Sequence, residues 1–236
     1  MLPPVDKSPA RISAMFDAIS GRYDFLNHFL SAGLDRRWRA QAVRELGLPP
    51  APRVLDLCTG TADLAIAAVR GAGARVVGVD FAGAMLRLGL EKLRAMNLER
   101  DVALVRGDAT RIPVRDGWAD GATIGFGIRN VVHPEAALDE LARVIRPGGR
   151  LAILEFGDPV IPGIRELYRW YFRIVLPRLG RLVSRHDNAY TYLPASVGGF
   201  PPPRAFADTI SSHGFRDVRA VPLSLGVVYL YVATRG

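Results

Sequence analysis

The 236 residues are 49% hydrophobic and carry 31 Lys and Arg against 23 Asp and Glu, a formal net charge of +8. That size and apolar content suit one large domain with a full core, and no run approaches the roughly 18–20 apolar residues needed to cross a bilayer. The opening "MLPPVDKSPARISAMF" lacks the apolar stretch of a secretion signal, and the single cysteine, Cys58, rules out an intrachain disulfide, so a reducing cytoplasmic setting is expected. The positive charge alone does not choose among nucleic acid, anionic lipid and anionic small molecules.

In chain order, a helical segment over 8–46 precedes the first strand, "RVLDLC". The helix-like "ADLAIAAVR" follows, then the strand "ARVVGVD" and a helix over "AGAMLRLGLEKLRAM", with apolar residues at helical spacing. "DVALVRGD" and "ADGATIGFG" read as a third and a fourth strand. "PEAALDELARVI" is an amphipathic helix with Pro134 in its first turn, and "PGGR" turns the chain into a fifth strand, "LAILEF". Such alternation implies right-handed βαβ units and a parallel sheet covered on both faces. Near the end, "FRDVRAVPLSLGVVYLYVATR" offers two β-runs joined by a short turn, an antiparallel hairpin. This is the strand content of the Rossmann-like, mostly parallel seven-stranded α/β sheet of class I methyltransferases. One domain over 1–236 is expected: the helical segment 8–46, a core over 53–157, an insert over 158–203, and a terminal helix and hairpin over 204–236.

Acids stand at three successive strand ends. Asp56 precedes "CTGTAD", where Gly60 permits close backbone approach and Thr61 leads into a helix N-terminus. With one glycine and an acid before it, this loop suits a zwitterionic ligand bearing an ammonium better than a pyrophosphate; S-adenosylmethionine is such a ligand. Asp80 is placed to accept from a ribose diol, with Phe81 beside the base. Asp108 is placed to accept from an adenine amino group, and the Ala109 N–H to donate to a ring nitrogen. Any one of these acids taken alone is as readily a helix cap or turn former; three at successive strand ends with a glycine turn are harder to explain that way.

In "TIGFGIRNV" the fourth strand runs out through Gly125 and Gly127, expected to let the backbone turn, into Arg129 and Asn130. A guanidinium cannot lose its proton at working pH, and a fixed cation within about 4–6 Å lowers the pKa of a phenol-like hydroxyl. Arg129 therefore reads as the stabiliser of an ionised aromatic acceptor, with Asn130 orienting the ring; the competing reading is an ion pair to Glu155 that anchors the loop. The proton acceptor stays open among a water near Arg129, Asp24 and His186. Tyr23, Asp24 and Asn27 in "RYDFLN", and Tyr192 with Tyr190 in "AYTYLP", are candidates to line the acceptor pocket, or else packing contacts. Histidines 28, 133 and 213 show no ligand spacing, so no metal is assigned.

Three stretches go beyond a generic core: "MFDAISGRYDFLNHFLSAGLDRRWR", "FGIRNV", and "RVIRPGGRLAILEFGDP" with "AYTYLPASVGGFP" downstream. On these the chain resembles the ubiquinone/menaquinone biosynthesis C-methyltransferase family along nearly its whole length. The resemblance implies S-adenosylmethionine bound by residues matching Thr61, Asp80, Asp108 and Ala109. It also implies methylation of a ring carbon of a polyprenylated quinol, notably demethylmenaquinol. The chain departs from that family's common pattern at Asp35, where His is common, and at Gly157, where Ser is common; some members carry Ser at Gly125, and many methyltransferases carry Gly at Ala62. Rival readings are the corresponding benzoquinol reaction, another phenol or a nucleic acid as acceptor, and a non-catalytic cofactor-binding partner; no nucleic-acid-binding module is found. The basic, aromatic-rich run over 164–185 suits either a membrane interface or a cover over the site. A transient membrane-surface contact and a homodimer are both admitted.

Overall fold

The computed structural model describes residues 31, 33–159, 161–163, 165–166 and 196–236. Helix α1 (Leu34–Glu45) leads into β1 (Arg53–Leu57), α2 (Asp63–Ala72), β2 (Arg75–Asp80), α3 (Gly83–Ala95) and β3 (Val102–Arg106). β4 (Ala119–Gly125), α4 (Pro134–Val144), β5 (Ile145–Phe156), α5 (Pro203–Ser212), β6 (Phe215–Leu223) and β7 (Val228–Arg235) complete the described elements, with 3-10 turns at Ile128–Asn130 and Ser224–Gly226. The seven strands form one sheet in the order β3-β2-β1-β4-β5-β7-β6. β7 runs antiparallel to both of its neighbours, and the remaining pairs are parallel. The terminal hairpin therefore folds back so that its second strand, not its first, meets the parallel sheet.

Strand alternation sorts the core into two layers. Leu55, Leu57, Ile124, Ile153 and Tyr231 pack with Leu138 and Leu141 of α4 and with Phe206 and Ile210 of α5. Val54, Val76, Ala152, Leu154 and Val232 face the other way, onto Trp38 and Val43 of α1 and Leu64 and Ala65 of α2. α1 is also tied by charge: Arg39 pairs with Asp35 and, at 3.1 Å, with Asp63 at the start of α2. Lys92 of α3 reaches the same Asp63 at 2.7 Å and the Thr61 hydroxyl at 3.0 Å.

Two local expectations are corrected. "PGGR" is not a separate turn before β5. Ile145 already pairs with Ala119, and pairing resumes with Arg150 opposite Gly121 after an irregularity in register. Nor do Gly125 and Gly127 supply the bend after β4: the left-handed residue there is Phe126, at φ 58. Gly127 is needed for space, because a Cβ there would overlap Cys58 Cβ, and one at Gly125 would come within 3.3 Å of Leu64.

Candidate active site

The loop after β1 carries three left-handed residues in five: Cys58 (φ 56), Gly60 (φ 55) and Ala62 (φ 67). Two of them are not glycine, a conformation that costs roughly 1–3 kcal/mol each and persists only where the surroundings enforce it. The enforcement is visible. Thr59 N–H donates to the Val79 carbonyl at 3.1 Å, Ala62 N–H to the Thr59 carbonyl at 2.9 Å, and Gly60 N–H to Asp80 Oδ2 at 2.8 Å. Asp80 Oδ1 accepts from Ala82 N–H at 2.9 Å, and its carbonyl accepts from Gly107 N–H at 2.9 Å. Asp80 thus laces together the loops that follow β1, β2 and β3, three adjacent strands.

Asp56 is 1% exposed and sits beneath that loop. The Thr59 hydroxyl donates to Oδ2 at 2.5 Å, the Thr123 hydroxyl to Oδ1 at 2.7 Å, and the Ala65 N–H also donates to the carboxylate. Burial pushes its pKa up to about 6, against the pull of these hydrogen bonds and with a smaller push from Asp80. The sequence reading aimed Asp56 at a ligand's ammonium; in the structure its carboxylate faces the loop's own donors and braces it from below. Thr123 was not singled out in sequence. Its signal is a hydroxyl inside an apolar strand, but only the β1–β4 register, which sets Thr123 beside Asp56, reveals its use.

Asp108 is exposed and caps its own turn, Oδ1 accepting from the Thr110 N–H at 2.8 Å and hydroxyl at 2.9 Å. Its Oδ2 and the neighbouring Ala109 N–H have no partner among the described residues. A free acceptor beside a free donor at the end of β3 fits the edge of an adenine, and Asp80 at the end of β2, whose oxygens each already accept one backbone N–H, stands where a carboxylate could also meet a ribose diol. The residues present therefore fit an adenosine-bearing cofactor. Gly60 is open on one side, a Cβ there meeting only Met85, at 3.5 Å, among the described residues.

Arg129 stands in the turn after β4 and is 7% exposed. Its Nη1 donates to Glu155 Oε1 at 2.7 Å and to the Phe126 carbonyl, and its guanidinium lies 5.4 Å from the Phe156 ring centre. Nε is enclosed without a hydrogen-bond partner among the described residues. Nη2 makes no hydrogen bond among the described residues and is not enclosed. The anchoring ion pair weighed in sequence is therefore present, and it leaves one edge of the guanidinium accessible. Asn130 is buried beside it, its N–H donating to the Gly127 carbonyl at 3.0 Å. The turn rests on the β1 loop through the contact of Gly127 with Cys58. Burial raises the Cys58 thiol well above its ordinary pKa, with Asp80, Asp56 and Glu155 adding to the rise and Arg129 opposing it; all four charges act on that one point.

The ubiE/COQ5 methyltransferase family matches residues 5–235. The chain belongs to that family. A demethylmenaquinone methyltransferase of Thermus thermophilus is 48% identical over 94% of this chain and 100% of its own length. A ubiquinone/menaquinone biosynthesis C-methyltransferase UbiE of Geobacter sp. strain M21 is 45% identical over 95% of this chain and 96% of its own. Among solved structures, a putative methyltransferase of Haloferax volcanii, in complex with the Trm112 activator, superposes with a TM-score of 0.68 at 15% identity. That match covers 95% of this chain and 97% of the other, and it shows the shared fold.

Tyr23, Asp24, Asn27, His186, Tyr190 and Tyr192 lie outside the described residues, as does nearly all of 164–185. Among the described residues no group of three or more His, Cys, Asp or Glu is placed to hold a metal ion, and no helix is long and apolar enough to cross a membrane.

Proposed function

We propose that this chain transfers a methyl group from S-adenosylmethionine to a ring carbon of a polyprenylated quinol, demethylmenaquinol above all. The observation that carries the reading is the contact of Gly127 with Cys58, which sets the Arg129 turn against the loop after β1. The names of the relatives from Thermus thermophilus and Geobacter support the acceptor class. When bound, the cofactor supplies a methyl group on a positively charged sulfur, which a carbon nucleophile can take.

The chain's own residues prepare the two partners. Asp80, Asp108 and the Ala109 N–H hold the nucleoside, while Asp56 and its threonines keep the loop in shape. An oxidised quinone ring is electron-poor, so the acceptor is the reduced quinol. The accessible Nη2 edge of Arg129 favours its ionised hydroxyl, which pushes charge onto the adjacent carbon. Asn130 orients the ring. Contact with an anionic membrane surface through 164–185, on the cytoplasmic side, belongs to the same proposal, since a polyprenylated acceptor resides in the bilayer.

The test is incubation with methyl-labelled cofactor and demethylmenaquinone, reduced or oxidised. Label entering only the reduced quinone is expected. No transfer, or equal transfer to both forms, overturns the reading. The benzoquinol counterpart, run alongside, decides between the two acceptors that the Geobacter relative's name covers.

A further inference from the structure

Glu155 is fully enclosed, at 0% exposure, one residue before the end of β5. Oε1 accepts from Arg129 Nη1 at 2.7 Å and from Phe156 N–H at 2.9 Å, while Oε2 faces the Arg129 N–H at 3.4 Å. A buried ion pair seldom raises stability over well-packed apolar residues of similar volume, so its presence needs another explanation. The Phe126 carbonyl, the Phe156 ring and Glu155 together clamp the guanidinium, leaving Nη2 with no hydrogen-bond partner among the described residues and not fully enclosed. The clamped charge leans, through Gly127 and Cys58, on the loop assigned here to the cofactor. A fixed guanidinium and a sulfonium repel each other in one cleft unless a negative charge lies close to both.

We propose that Glu155 is a positioning residue for methyl transfer: it holds Arg129 with only the Nη2 edge toward the acceptor, and its carboxylate lets that arginine and a sulfonium share one cleft. This rests on the methyltransferase reading. It assigns the carboxylate an electrostatic task beyond anchoring, and that task extends to the cofactor as well as to the acceptor. The raised thiol of Cys58, which feels both Glu155 and Arg129, is consistent with the pair acting at the loop.

The test is calorimetric titration of the full chain and of its Glu155→Gln and Glu155→Asp variants with S-adenosylmethionine and with S-adenosylhomocysteine. These two nucleosides differ by a methyl group and by the charge on sulfur. Glu155→Gln is expected to weaken binding of the sulfonium form about tenfold while changing the thioether form less than twofold. Glu155→Asp is expected to restore most of the difference. An equal loss for both nucleosides, or none for either, overturns the proposal.

The pH dependence of turnover supplies an independent readout. With the counter-charge gone, the rising limb of kcat is expected about one pH unit lower in Glu155→Gln, although its plateau falls. A reduced plateau with the limb unmoved overturns the proposal and leaves a purely structural pair. If Glu155→Gln does not fold, Arg129→Gln/Glu155→Gln replaces it; that variant removes both charges and is expected to discriminate between the nucleosides as the native chain does. Weakened sulfonium binding there, with the thioether form spared, counts against the proposal. A native chain that binds neither nucleoside sinks the methyltransferase reading itself, a result distinct from native binding with unselective variants.

Discussion

Arg129 and Glu155 face each other across the ends of two neighbouring parallel strands, Nη1 to Oε1 at 2.7 Å, both almost wholly out of water. Neither charge has another charged partner among the described residues, so each depends on the other. Removing one is therefore worse than removing both. Arg129→Gln is expected to cost about 3–5 kcal/mol, because Glu155 is left as a buried, unpaired charge. Arg129→Gln/Glu155→Gln is expected to cost clearly less than the two single variants summed. Urea unfolding of all four proteins measures the coupling, and strict additivity would show that the pair is not one unit.

Gly127 has no room for a side chain. Its Cβ would overlap that of Cys58, a short, stiff neighbour held at φ 56. Gly127→Ala is expected to cost about 1–3 kcal/mol and to weaken cofactor binding as the loop is pushed away. Adding Cys58→Gly should recover most of both, since it vacates the space and relieves a left-handed residue worth about 1 kcal/mol. Calorimetric binding and thermal melts of the single and double variants decide this. A double variant no better than the single would place the damage elsewhere.

Asp56 ties stability to pH. Its folded pKa is raised from 3.8 to about 6, so the folded chain keeps a proton that the unfolded chain has already released. Stability is therefore lost as pH rises through that window, and the cost is complete above about 6. Asp56→Asn cannot ionise. Measured as variant minus native, its stability is expected to rise between pH 4 and pH 7 by up to about 3 kcal/mol. Denaturation series at both pH values test it, and a difference independent of pH would show that burial does not hold the proton.

Gly157 is a second position with no room for a side chain. A Cβ there would lie 2.6 Å from Tyr229 Cε2 and 3.0 Å from the Gly226 carbonyl. Gly157→Ser is expected to lower the melting temperature by several degrees, the signature of about 1–3 kcal/mol of overpacking in a chain this size. In a Tyr229→Leu background the same change should cost markedly less. Equal losses in the two backgrounds would exonerate the tyrosine ring.

The βα alternation, the acids Asp56, Asp80 and Asp108 at their strand ends, and Arg129 after β4 were all legible along the chain. Each depends on a local pattern: the period of apolar residues, or the position of a polar residue just past an apolar run. The family was legible too, because its three stretches are contiguous in sequence. What each site residue touches was not legible. Thr123 meets Asp56 across 67 residues and Arg129 meets Glu155 across 26, contacts that exist only once β4 lies between β1 and β5. The turn after β4 makes the same point, since Gly127 is required there by a collision with Cys58, 69 positions upstream, that no local preference encodes. Periodicity is a property of neighbours in the chain, whereas strand order, buried charge pairing and steric exclusion belong to neighbours in space; packing alone turned Asp56 inward and left one corner of Arg129 accessible.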